Sequence, residues 1–258
     1  MVPRSWFNGG MNNNDAPQPD PFVHLPHLRE RFIAPQASKA RVTPEVLAQW
    51  DQAALERGTE MPWRLPDEER EASRQAFMAS IDTTQDVWVF GYGSLMWDPA
   101  IHFVEARAAA LNDHQRLFNY RVIGGRGTPE QPGLVLSLMP QAGVCCDGLV
   151  FRIAAHMVEQ ETQVLWRREM IRGGYLPSLL AVDTPQGAVQ ALVFVARADN
   201  PSYVHDLSLD ETADIVATAS GHLGHNRDYL LQLAEQLQAL DLADPYISDL
   251  VQRVRQRV

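Results

Sequence analysis

Val87-Trp88-Val89-Phe90-Gly91-Tyr92-Gly93-Ser94-Leu95-Met96-Trp97 is the stretch on which the fold turns. Val87 to Phe90 is a short apolar run of strand type, and Gly91 and Gly93 end it. Glycine reaches backbone conformations closed to other residues, so successive amides after this strand can turn toward one point and hold an anion such as a carboxylate. Ser94 adds a hydroxyl donor to that point, and Tyr92 and Trp97 can wall a pocket around it. A plain strand-to-turn junction is the competing reading. A phosphate loop would need a Gly-Lys-Ser/Thr ending and a dinucleotide fingerprint a third glycine opening a helix, and neither is present.

Moving outward, further strands are expected over residues 105–111, 118–123, 133–139, 147–153, 175–183 and 188–196, with a helix over 155–170. Many short, mostly antiparallel strands with few crossing helices predict an α+β domain built on a small closed or half-closed β-barrel. Upstream, Thr43-Pro44-Glu45 sets an N-cap and a first-turn proline before Val46, Leu47, Trp50 and Ala54, and Pro66-Asp67-Glu68-Glu69 opens a second helix through Ile81. Downstream, three helices are expected over residues 209–219, 226–240 and 245–257. The expected organisation is a disordered arm over 1–40, a helical extension over 41–85 and a catalytic domain over 86–258. Val2-Pro3-Arg4-Ser5 ahead of a second methionine at Met11 prompts the reading of residues 1–10 as a vector-derived leader.

A formal charge of −10 over 258 residues argues against a general nucleic-acid binder, which needs a basic face, and favours a small-molecule partner. No apolar run is long enough to span a bilayer and no secretory signal is apparent, so the cytoplasm is the expected compartment. The two cysteines, Cys145 and Cys146, are adjacent and read as reduced thiols. His222 and His225 have no third ligand at metal spacing, so no metal site is expected. Ser94 has no nucleophile-elbow context and no evident partner histidine, which disfavours a serine hydrolase.

Two more segments carry chemistry. In Gly124-Gly125-Arg126-Gly127-Thr128-Pro129 a tight loop presents one guanidinium, either as a carboxylate clamp or as a solvated arginine. In Leu165-Trp166-Arg167-Arg168-Glu169-Met170 a glutamate stands at a helix end before Gly173-Gly174-Tyr175. A partly buried carboxylate there would have raised proton affinity and could act as a base near neutral pH. Asp98, Asp113, Glu130, Asp147 and Glu161 compete for that role, and local chemistry does not rank Glu169 above them.

Taken together, the Val89 to Trp97 segment, Arg126-Gly127-Thr128-Pro129 with Gln131-Pro132-Gly133, Arg168-Glu169-Met170 with Gly173-Gly174-Tyr175, and the tail Ala219-Ser220-Gly221 to Asn226-Arg227-Asp228-Tyr229-Leu230 resemble the ChaC branch of the γ-glutamylcyclotransferases. The likeness runs in order from about Trp88 to the C-terminus. It implies a γ-glutamylcyclotransferase-like barrel, glutathione as substrate, 5-oxoproline and cysteinylglycine as products, and no metal or organic cofactor. It places the general base on Glu169 and substrate contacts on Tyr92, Gly93, Ser94, Leu95, Arg126 and Tyr175, with Asn226 and Tyr229 as further candidates. Gly124 and Gly125 stand where some members carry an Asp-His pair, which bears on preference among γ-glutamyl peptides. A non-catalytic γ-glutamyl-binding regulator linked to cation transport, and a cyclotransferase for other γ-glutamyl amines, are the alternatives.

Overall fold

The computed structural model describes residues 20–258 of the chain. The helices follow from capping and pattern. In α1 (Pro44–Glu56) Thr43 accepts a hydrogen bond from the Val46 amide, with Pro44 in the first turn. α2 (Asp67–Met78) begins on Asp67, Glu68 and Glu69, whose charges favour a helix N-terminus. The later helices are α3 (Val158–Glu169), α4 (Leu209–Thr218), α5 (Asn226–Ala239) and α6 (Pro245–Arg255). A reciprocal capping box between Ser208 and Glu211 starts α4, and Asp244 accepts from the Ile247 amide to start α6.

The strands are β1 (Val87–Gly91), β2 (Glu105–Val122), β3 (Gly133–Ile153), β4 (Tyr175–Val182) and β5 (Val189–Ala196), in the order β2-β3-β1-β5-β4. β1 is antiparallel to β3, with Val87 opposite Ile153 and Gly91 opposite Leu149, and parallel to β5, with Trp88 opposite Ala191. The sheet is therefore mixed and mostly antiparallel, but it is not closed into the expected barrel. β2 and β4 end the order as two edges, whereas a barrel needs its first and last strands paired. The barrel expectation came from many short strands of similar length, four of which merge in pairs into the long β2 and β3. The turn-like residues between them remain in extended chain, where Asp113 takes φ of 56° and receives the Gly143 amide at 2.8 Å.

The chain divides into two compact units. The first comprises the described residues up to Ala109 together with Leu149–Val193, and it includes α1, α2, α3, β1 and β4. Both upstream helices fall in this unit together with β1 and β4. Its core holds Val89, Phe90, Met96, Ile101, Leu165 and Trp166, all essentially buried. Residues 20–40 are part of it too, contrary to the expected disordered arm. Phe22 and Leu28 are fully buried, Phe22 meets Phe103 edge-on at 5.6 Å, and Phe32 meets Phe151 edge-on at 5.9 Å. Main-chain bonds from Ala106 N to Pro21 O and from Ile33 N to Trp97 O, 2.8 and 2.9 Å, pin the segment. Phe22 lies in a turn ahead of the 3-10 helix Pro26–Arg31 and Phe32 directly after it, and they follow no helix or strand period, so no regular pattern marked them as core. The rest of that arm and the leader reading, residues 1–19, lie outside the described residues.

The second unit, Ala110–Gly148 and Phe194–Val258, packs Phe118, Leu134, Leu136 and Leu138 with the buried faces of α4, α5 and α6, including Val216, Leu230, Leu233, Leu250 and Val254. Among the described residues no helix is long and apolar enough to cross a membrane.

Candidate active site

Three local features bring Ser94 and Glu169 into one arrangement within the first unit. The first is the end of β1. Gly91 is required by close approach: a Cβ there would lie 2.8 Å from Leu95 Cβ and 3.3 Å from the Phe151 ring. Neither Gly91 nor Gly93 takes a positive φ; Gly93 turns the chain with φ of −141° and ψ of −129°. Ser94–Met96 instead forms a 3-10 turn directly after Gly93. Its own bonds use the amides of Met96, Trp97 and Asp98, at 2.8, 3.3 and 2.9 Å, leaving the Ser94 and Leu95 amides at the N-terminal end outside that set. Tyr92 and Trp97, expected as pocket walls, are buried at 8% and 6% exposure, with Tyr92 6.4 Å from the Phe90 ring.

The second feature is α3, which is anchored on α2. Arg74, with no exposed surface, donates to Glu71 at 2.6 Å, to Glu159 at 2.7 Å and to Thr162 at 3.0 Å. Trp166 packs on Phe77 at 5.5 Å and donates its indole N–H to Ser73 Oγ at 3.2 Å. With that face held, the last turn of α3 presents Arg168 and Glu169. The chain then leaves through Gly173 at φ of 62°, a conformation glycine adopts readily, while Leu65 N donates to Ile171 O at 2.7 Å.

The third is Arg168 itself. Its Nη2 donates to Ser94 Oγ at 2.8 Å, its Nη1 donates to the Asp98 carbonyl, and its Nε lies 2.8 Å from Glu169 Oε1. One guanidinium therefore joins the turn after β1 to the carboxylate at the end of α3. The Glu169 side chain retains 18% exposure. Burial pushes its carboxyl above the ordinary glutamate range, and the charge and hydrogen bond of Arg168 offset only part of that push. The direction of that shift is the one a general base calls for. Arg168 stood beside Glu169 in the sequence without being chosen as a site residue. The available signal was that a carboxylate half-removed from water at a helix end needs a cation.

The competing acids separate by environment. Glu161, 1% exposed, accepts two hydrogen bonds from Arg41 at 2.7 and 3.0 Å and one from the His102 amide at 3.0 Å, and lies 3.0 Å from His102 Nδ1. Burial alone would raise its carboxyl, but the bonds from His102 and Arg41 outweigh it and hold Glu161 below the ordinary range. Asp98 accepts from Ser38 Oγ at 2.6 Å, Asp113 caps the Gly143 amide, and Glu130 is exposed. Asp147, in the second unit, is also raised by burial, with Arg116 opposing.

Arg126 belongs to the second unit, where its Nη1 donates to His225 O at 3.1 Å and stands 4.0 Å from an Asp228 oxygen. Asn226 is fully buried and spends its side chain on the Leu134 backbone, accepting from N and donating to O at 2.7 Å each. It supports the β3 backbone. Tyr229 stacks edge-on with Phe118 at 5.6 Å. Tyr175 opens β4 and is half-buried. Among the described residues no cluster of three or more His, Cys, Asp or Glu side chains could hold a metal ion.

The mixed sheet thus delivers a serine-bearing turn, at the end of its first strand, to an arginine-tethered, half-buried glutamate. The model of the family of ChaC-like proteins matches residues 87–257, and the chain belongs to that family. A glutathione-specific γ-glutamylcyclotransferase of Escherichia coli (strain K12) is 40% identical over 189 residues, 73% of this chain and 81% of that protein. Glutathione-specific γ-glutamylcyclotransferase 1 of Danio rerio is 38% identical over 168 residues, 62% of this chain and 85% of that one. The fold is similar to the crystal structure of a yeast γ-glutamyl cyclotransferase specific to glutathione, with TM-score 0.61 and 23% identity over 67% of this chain and 96% of that one.

Proposed function

We infer that this chain is a glutathione-specific γ-glutamylcyclotransferase, with Glu169 as its general base. Family membership and the 40% identical relative support the activity. The observation that carries the assignment of the base is a carboxyl raised by burial and tied through Arg168 to Ser94.

The chemistry follows from what each group can do. The turn Tyr92, Gly93, Ser94 and Leu95 takes the α-carboxylate of the γ-glutamyl group, using the Ser94 and Leu95 amides at the start of the turn. That holds the α-nitrogen near the γ-carbonyl carbon of the same molecule, where proximity makes attack effectively unimolecular. An ammonium has no lone pair, so Glu169 removes one proton from it. The amine nitrogen then bonds to the γ-carbonyl carbon, closing a five-membered ring, and backbone donors steady the negative oxygen of the tetrahedral intermediate. The amide C–N bond to cysteine breaks as the departing nitrogen takes the proton held by Glu169; the ring nitrogen gives up its second proton through the same carboxylate to that nitrogen, which leaves as an ammonium. The products are 5-oxoproline and cysteinylglycine, with Glu169 restored as carboxylate.

Tyr175 enters as a substrate contact by its place in the chain after Glu169, and Arg126 by the resemblance alone. The proposal carries a cytoplasmic location with it, the kind of compartment in which Cys145 and Cys146 stay as thiols outside any disulfide. The test is incubation of the purified protein with glutathione and with other γ-glutamyl amino acids, followed by mass spectrometry. 5-Oxoproline and cysteinylglycine from glutathione are expected. Turnover of the other donors without glutathione would move the substrate, and binding without turnover would make the protein a γ-glutamyl-binding regulator.

A further inference from the structure

We propose that Arg168 is a positioning residue that makes the base and the substrate-binding turn a single unit, so that Ser94 and Glu169 are held in register by one guanidinium. The inference rests on Glu169 as base.

Three of the donors of Arg168 are committed: Nη2 to the Ser94 hydroxyl and Nη1 to the Asp98 carbonyl, both on the turn after β1, and Nε to Glu169 at the end of α3. The planar fork of arginine fixes the angles between these bonds, and a lysine ammonium cannot reproduce them. At 9% exposure the side chain is shielded from competing water. The other charges nearby are spent elsewhere: Arg167 turns its Nε to the Val42 carbonyl at 2.7 Å, and the Asp98 carboxylate accepts from Ser38. Among the described residues, Arg168 is the charged group set against the Glu169 carboxylate. The same side chain therefore sets where the carboxylate points, how readily it gives up its proton, and where Ser94 stands.

The experiment compares Arg168→Met, Arg168→Lys and Glu169→Gln in glutathione turnover across the neutral pH range, with circular dichroism as the folding check. In Arg168→Met the acid limb of the rate profile is expected to move up by roughly one pH unit as Glu169 loses its cation, and kcat/KM to fall about 100-fold as the geometry loosens. In Arg168→Lys the charge remains, so the acid limb stays near wild type while KM rises about tenfold with loss of the bonds to Ser94 and Asp98. A merely structural arginine would change thermal stability and leave the acid limb in place. Folded Arg168→Met with the wild-type limb and KM overturns the proposal. If Arg168→Met does not fold, Arg168→Lys with an unchanged KM overturns it. Full activity in folded Glu169→Gln would remove the base and this proposal together, whereas an inactive Glu169→Gln beside a wild-type-like Arg168→Met removes only the role of Arg168.

Discussion

Arg168 Nη2 stands 2.8 Å from Ser94 Oγ although 74 positions separate the two residues in the chain. The contact joins the turn that ends β1 to the last turn of α3, and Glu169 is the next residue on that turn. The Ser94 hydroxyl and the Glu169 carboxylate are thereby held by one guanidinium within the first unit.

Replacement of Glu169 by glutamine is expected to abolish 5-oxoproline release and leave the fold intact. Because burial raises this carboxyl, its ionised form costs stability in the folded protein. That cost is absent below the unfolded value, develops as pH rises toward the raised folded value, and stays constant above it. Glu169→Gln should therefore melt at or above the wild-type temperature at neutral pH, with the gain vanishing in acid, as scanning calorimetry at several pH values would read. A large destabilisation at neutral pH would contradict this.

The wild-type rate profile should carry the same signature. A base raised by burial leaves the acid limb of kcat/KM above the ordinary glutamate range near 4.3. An acid limb at the ordinary value, measured with glutathione well below KM, would point to a different base.

Glu161 is expected to govern stability. Its side chain is 1% exposed and bound by Arg41 and His102, so Glu161→Ala leaves the Arg41 charge without its partner and should cost about 3 kcal/mol. The folded carboxyl is held low, so its contribution is present above the unfolded value and is lost as pH falls through the folded one. Urea melts of the two proteins should accordingly converge on acidification.

Gly91→Ala tests the close approach under the turn. The new methyl would lie 2.8 Å from Leu95 Cβ, and relief requires the turn bearing Ser94 to move. Steady-state kinetics should show a fall in kcat/KM of about 100-fold, against a stability loss of only about 1–3 kcal/mol.

Phe22→Ala tests the unexpected part of the core. The ring is fully buried and stacks on Phe32 at 5.2 Å as well as on Phe103, so the substitution should cost about 3 kcal/mol in denaturant unfolding. A change below about 0.5 kcal/mol, the level of a surface substitution, would mean that residues 20–40 do not pack as described.

Much of this was legible locally. Thr43-Pro44 starts α1 as its capping chemistry requires, the apolar run from Val87 is β1, and the three C-terminal helices fall within a few residues of their expected spans. These elements depend on a residue and its near neighbours, through caps, turns and periodicity. Glu169 was visible as a candidate for the same reason, since a glutamate ahead of a double glycine is a local fact.

What required the tertiary structure was every relation between distant segments. Which strands lie side by side decided that the sheet stays open, because pairing is a property of two strands and an edge is a missing partner. Residues 20–40 became core through cavities shaped by Phe103 and Phe151, which no periodicity within the segment reports. Glu161 and Glu169 share one helix and one side-chain chemistry; the sequence by itself determined that both were acids on α3. Only packing decided that Glu161 meets Arg41 and His102 and is held low, whereas Glu169 meets burial that Arg168 offsets only in part and is raised. Proton affinity depends on the charges and the water that surround a group in space, and those are set by the fold.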